Sequence, residues 1–350
     1  MIFQKIIPGV VVALLLGTVT VLTACVSETQ IKHKTYSNEG PVWPPEPFTP
    51  KIEYIGSLSK PEDLNIRKGF FGILKEVAIG EEDNKMILPM AITKNAKDQL
   101  FVADPGKKTI HRFDKARGKY RLIKREGDRD FVSPVGMAAD SEGNVYIADS
   151  ELAKVFIVGI DKDYATKLPL DEDFIRPTGI AVDKKTGWIY VVDTGIHAIY
   201  VFNNNHSLVK KFSHRGTGDG EFNFPTYLWQ NKDGKLLVTD SLNFRIQIFD
   251  RYGGYLSKFG NAGNGTGDLA RPKGVAEDSQ GHVYVTDSLF HNVQVFSETG
   301  EFLINFGEQG NGKGQFWLPV GITITNDDTI YVADSYNKRV QVFRYIGSER

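Results

Sequence analysis

From Pro89 to the C-terminus, short apolar runs alternate with polar, turn-forming breaks, and the same order of runs returns six times. Each copy reads roughly Pro-x-Gly-Ile-Ala, a turn, Ile-Tyr-Val-x-Asp-Ser, and then Arg-Ile-Gln-Val-Phe. Val283-Tyr284-Val285 and Val293-Gln294-Val295-Phe296 show the composition, β-branched and aromatic residues that suit a pleated, packed surface. Between the first two runs stand Asp278-Ser279-Gln280-Gly281 or Lys232-Asp233-Gly234-Lys235, whose Gly and Asp accept the backbone of a tight turn. Each copy is therefore expected to form a small antiparallel sheet. Both of its faces are apolar, so it must stack against the next copy to be stable.

The Asp closing each second run, Asp104, Asp149, Asp193, Asp240, Asp287 and Asp334, recurs every 44 to 47 residues. Short-strand repeats of about 40 to 50 residues predict propeller blades, so the expected fold is all-β, a six-bladed β-propeller. The sixth copy stops one strand short. Ile52-Glu53-Tyr54-Ile55-Gly56-Ser57-Leu58 resembles the fourth strands elsewhere and is expected to complete that blade, removing the open edge. Three residues before each Pro stands an apolar residue, Met86, Phe131, Phe174, Phe222, Leu269 or Phe316, read as a core plug.

Pro272-Lys273-Gly274-Val275-Ala276, Tyr284-Val285-Thr286-Asp287-Ser288, Val293-Gln294-Val295-Phe296 and the closing run Asn337-Lys338-Arg339-Val340-Gln341-Val342-Phe343 resemble NHL repeats. The resemblance covers about residues 86 to 345 and implies the propeller fold. It does not select a function, since NHL proteins include RNA-binding and protein-binding scaffolds, a peptidylglycine lyase and bacterial envelope proteins, and relatives with other propeller repeats are calcium-dependent lactonases.

The N-terminus predicts export. Lys5 precedes an apolar run from Ile6 to Leu22, and Leu22-Thr23-Ala24-Cys25 resembles a bacterial lipobox in which Cys25 carries the lipid. Val26 stands where Asp would favour inner-membrane retention, so by that resemblance the outer membrane is expected in a two-membrane cell. The domains read as a signal peptide at 1–24, a Pro-rich flexible tether at 25–50 and the propeller at 51–350. Residues 59–85 interrupt it; Ile66, Phe70, Phe71, Ile73, Leu74 and Val77 follow a helical stripe expected to dock on the propeller or to meet a membrane or partner.

Charge and cysteine content narrow the function. Cys25 is the only cysteine, which excludes disulfides and thiolate metal sites, and the formal net charge of -1 supplies no basic footprint for nucleic acid. The inner strands, such as Val135-Gly136-Met137-Ala138 and Lys273-Gly274-Val275-Ala276, offer almost no metal ligands or general bases, so no catalytic residue, metal or cofactor is assigned. His197 and His291 are read as exposed loop histidines, and the Gly-rich stretches near 216, 260 and 307 as connectors between blades. The repeated Asp reads as a turn residue, with Ser bonding nearby N–H groups, Asn taking a left-handed backbone and Arg pairing with Asp.

The positions flanking each Pro vary between blades, so they are free for recognition. Blades three to five place Arg176, Phe224, Arg271 and Lys273 there, a basic arc with an aromatic. Blades six, one and two place Trp317, Leu318, Val320, Leu88, Met90, Ser133 and Val135, an apolar arc that either contacts a partner or packs under loops. Tyr227 and Trp229 replace the small inner-strand residues of other blades, to fill a void or to line the channel. The expected function is a non-enzymatic scaffold presenting Arg176, Phe224, Arg271, Lys273, Trp317 and Leu318 to another cell-envelope protein. Resemblance adds assemblies containing multihaem cytochromes as one partner class. The alternative is a divalent-metal hydrolase or lyase of the lactonase or peptidylglycine-lyase type.

Overall fold

The computed structural model describes residues 40–45, 47–49, 51–66, 84–170 and 172–347. The expected signal peptide, Cys25 and most of the 59–85 insertion lie outside them. Blade one comprises Ala91–Lys94, Leu100–Asp104, Thr109–Asp114 and Lys119–Arg125; blade two comprises Pro134–Ala139, Val145–Asp149, Lys154–Val158 and Tyr164–Lys167. Their outermost strands touch in parallel through Tyr164 and Lys124. Blades three, four and five are separate four-stranded antiparallel sheets beginning at Pro177, Pro225 and Pro272.

Blade six closes the ring. Its own strands are Pro319–Ile324, Thr329–Asp334 and Arg339–Tyr345, and Ile52–Leu58 pairs antiparallel with the last of them. A further short strand, Val42–Trp43, then pairs with Ile52–Leu58. The propeller thus begins about ten residues before the expected tether boundary. Trp43 explains why, since its ring lies 5.7 Å from Phe306 and 5.8 Å from Phe343, apolar area that a free tether would leave in water.

Burial follows the ring. The buried side chains form six clusters, each shared by two neighbouring blades, and the cluster between blades six and one includes Leu58, Val340, Ile92 and Val102. Phe131, Phe222, Leu269 and Phe316 are fully enclosed, and Met86 and Phe174 nearly so, as plugs must be. Inner strands adjoin their neighbours all the way round, sixth to first included. Gly136 shows the tightness, because a Cβ there would lie 2.1 Å from the Thr178 carbonyl oxygen of the next blade. In the insertion, Pro61–Leu64 forms one 3-10 turn and Ile66 is buried in the cluster between blades six and one.

Candidate functional site

All six repeated Asp side chains are fully buried, and hydrogen bonds account for them. Asp104 accepts the amides of Ile87 and Leu88 at 2.7 and 2.9 Å, and Asp149, Asp193 and Asp287 do the same for the two residues before Pro134, Pro177 and Pro272. Each Asp therefore ties the loop entering the inner strand to the loop after the second strand, placing both on one face. The residue after the Asp has a different task from the expected one. Ser241, Ser288 and Ser335 donate to the carbonyls of Pro272, Pro319 and Pro89 in the next blade at 3.0, 2.8 and 2.6 Å, and Thr194 does so to Pro225. Asp organises the blade, and in blades three to six the Ser or Thr after it staples the blade to its neighbour.

Blades four and six vary this arrangement. Asp240 accepts from Arg245 and Asn243 at 2.8 Å and from Gln247 at 3.1 Å, and keeps only the Asn223 amide. Asp334 likewise binds Arg339, Asn337 and Gln341 and keeps only the Trp317 amide. The released amides, those of Phe224 and Leu318, turn to left-handed backbone (φ 54 and 53) and donate to Nδ1 of His197 and His291 in the preceding blade, at 3.0 and 3.1 Å. Those histidines are thus clamps between blades, and His197 is buried. Reading them as exposed loop residues was incorrect, because the sequence pattern did not include the amide released one blade further on. Burial first, then the Arg215 charge, pulls His197 below the usual histidine range, so its neutral ring remains an acceptor. The left-handed position is also not Asn243 or Asn337. It is the fourth residue after each Asp: Lys108, Ala153, His197, Phe244, His291 and Lys338.

The third-strand side chains hold the Gly-rich connectors. Arg245 donates to the carbonyls of Thr217, Gly218 and Glu221, and Arg339 to those of Gly312 and Gln315. In blade one His111 replaces the Gln, lying 3.2 Å from Asp104 and 2.8 Å from the Tyr120 hydroxyl. Among the described residues no group of three or more His, Cys, Asp or Glu converges to hold a metal.

The Asp-capped face is rich in exposed apolar side chains. Phe224 is 38% exposed and packs edge-on against His197; Trp317 is 49% exposed and lies 6.0 Å from Tyr336. Ile87, Ile175, Leu242 and Leu289 are also exposed there. Of the expected apolar arc, Leu318 and Leu88 are half-buried and Val320 is buried, so packing under loops describes those three better than contact. Apart from Phe224, which directly precedes Pro225, the exposed apolar residues of this face stand two before the Pro or two after the Asp, and they run round blades three to five as well. The sequence carried that signal in Ile87, Ile175, Leu242, Leu289 and Tyr336, at the same two positions of the repeat as Trp317 or its facing turn. Gly106 and Gly195 complete the rule, because a Cβ at either would run into Ile87 or Ile175 at 2.7 and 2.5 Å.

Arg176 and Arg271 are exposed on this face and Lys273, on the inner strand just after Pro272, is half-buried. No side-chain hydrogen bond or ion pair engages any of the three among the described residues. Burial, then the charges of Arg271 and Arg176, pulls the Lys273 ammonium down to about 8, with Asp287 pulling the other way. Further along the axis Tyr227 reaches from blade four to the opposite blade one and donates to the Met90 carbonyl at 2.6 Å, barring the channel. Beyond it, towards the face of the first-to-second-strand turns, opens a cavity of about 540 Å³ walled by Ile92, Ile180, Ile322 and Trp229 and rimmed by Lys94, Asp98, Asp140 and Asp327. Tyr227 and Trp229 do line this cavity, whose lining contains no histidine among the described residues.

A family model for the NHL repeat matches residues 316–343. A curated relative, peptidyl-glycine alpha-amidating monooxygenase B of Xenopus laevis, is 28% identical over 126 residues, a match spanning 32% of this chain and only 14% of that protein. Among solved structures, a Bacteroides thetaiotaomicron protein of unknown function has a TM-score of 0.62 at 16% identity, covering 75% of this chain and 70% of that one. Streptogramin B lyase has a TM-score of 0.56 at 14% identity over 74% of this chain and 94% of that one. Such identities carry the fold, a β-propeller, with an NHL-repeat match confined to residues 316–343, and leave enzyme and binder open.

Proposed function

We propose that this chain is an exported propeller, lipid-anchored through Cys25, that performs no chemistry and docks on another cell-envelope protein through its Asp-capped face. The observation carrying this reading is the concentration of Ile87, Ile175, Phe224, Leu242, Leu289, Trp317 and Tyr336 on one end of the ring around Arg176, Arg271 and Lys273. Exposed apolar groups gathered on one face mark interaction sites, and aromatics beside Arg are enriched among residues that dominate binding. Membrane attachment and an outer-membrane location belong to the same proposal.

The test is crosslinking and capture from native membranes with the full chain, with a Phe224→Ser/Leu289→Ser/Trp317→Ser variant, and with a Trp229→Ala cavity variant, all checked for an intact melting transition. A protein held by the first and third and lost by the second supports docking through this face. Loss only in the cavity variant, or turnover of lactone, ester or streptogramin substrates in the presence of divalent ions, would replace the proposal by the hydrolase or lyase alternative.

A further inference from the structure

We propose that Arg176, Arg271 and Lys273 form an anion site at the centre of the docking face and that it receives a carboxylate side chain of the partner. This rests on the docking role proposed above. Arg176 and Arg271 stand just before Pro177 and Pro272, on blades that flank blade four, and Lys273 follows Pro272 directly. The corresponding inner-strand residues of the other blades are Met90, Val135, Thr178, Thr226 and Val320, none charged. A cation at this one position has no structural task in the repeat.

The nearest carboxylate does not serve it. Asp287 spends its oxygens on the amides of Ala270, Arg271, Leu289 and Phe290. The neighbouring hydroxyls are engaged too, Thr178 with Thr194 and the Thr226 carbonyl, and Thr226 with Ser241. Three cations thus share the Pro-flanking positions of this face, close enough for the Arg charges to act on Lys273, and none is ion-paired among the described residues; two of them are guanidinium forks suited to planar oxyanions. A half-buried ammonium in that position is held at a cost that an incoming anion would remove. The surrounding Ile175, Phe224 and Leu289 point to a carboxylate set among apolar side chains of a protein rather than a free ion.

The experiment measures Lys273 ionisation in the detergent-solubilised full chain by competitive acylation across pH, read by peptide mass spectrometry. The groups acting on Lys273 are Arg271, Arg176 and Asp287. The expected midpoint is about 8 in the free protein. It should rise by about one unit or more with tetraglutamate, corresponding to roughly tenfold tighter peptide binding to the protonated form, and stay put with tetraglutamine. An Arg176→Gln/Arg271→Gln variant should start higher and lose the response. An ordinary lysine midpoint in the free chain, no response to tetraglutamate, or a response to inorganic phosphate alone would each overturn the assignment. Its failure is separable from failure of the docking role, because a Lys273→Met variant that still captures the partner lost by the Phe224/Leu289/Trp317 variant leaves docking intact and removes the anion site.

Discussion

Replacing Asp240 by Ala separates the charged cap of blade four from the neutral caps of its neighbours. Asp240 is fully buried and binds Arg245 at 2.8 Å, and the Arg245 side chain is itself only 7% exposed. Its other donors reach Thr217, Gly218 and Glu221 at 2.7 to 3.0 Å, so the guanidinium cannot swing out to water without releasing the connector. Removing one partner of a buried pair costs about 3 to 5 kcal/mol, and the orphaned Asn223 amide adds about 1 kcal/mol or more, not fully additively. Asp149 accepts only amides, from Val132, Ser133, Leu152 and Glu151 at 2.8 to 3.3 Å. Asp149→Ala should therefore cost about 2 kcal/mol, and Asp240→Ala about 4 kcal/mol. Urea denaturation at neutral pH, with unchanged slope, measures both. Adding Arg245→Met to Asp240→Ala should recover about 1 kcal/mol, since the stranded charge is gone. Equal losses for the two Asp variants, or a double variant less stable than Asp240→Ala, would refute the reasoning.

The His197 clamp predicts acid sensitivity. With its folded pKa held below the unfolded value of 6.5, the stabilisation is complete above that value and is lost as pH falls through the folded pKa, so the Phe224 amide should lose hydrogen-exchange protection between pH 7 and 5 in wild type and at both pH values in His197→Ala. Lys273 has the opposite window. Its depressed folded pKa means the cost of the charge is full below about 8 and is relieved as pH rises towards the unfolded value near 10.5, so Lys273→Met should stabilise at pH 7 by about 1 to 2 kcal/mol after solvent screening, and much less at pH 10, by urea midpoint. Trp43→Ala should cost about 2 to 4 kcal/mol and expose Ile52–Leu58 to proteolysis first, because it strips the outer strand from Phe306 and Phe343.

The six-blade ring and its closure by Ile52–Leu58 could be read from the chain alone, because a blade is built from local alternation and the repeat period is itself a tertiary statement. The plugs at Phe131, Phe222 and Phe316 and the turn role of the Asp followed for the same reason. The tertiary structure decided what depends on a neighbouring blade. Whether His197 is exposed turns on an amide 27 residues away, and that amide is free only because Arg245 and Asn243 draw Asp240 aside. The role of Tyr227 was set by a carbonyl 137 residues distant across the axis. Which residues reach solvent on the Asp-capped face was likewise settled by packing at the Pro, where Leu318 is half-buried and Trp317 beside it stays out. Periodicity specifies which side of a strand a residue takes. It does not say how two blades share their hydrogen bonds where they meet, and there the Asp-capped face is made.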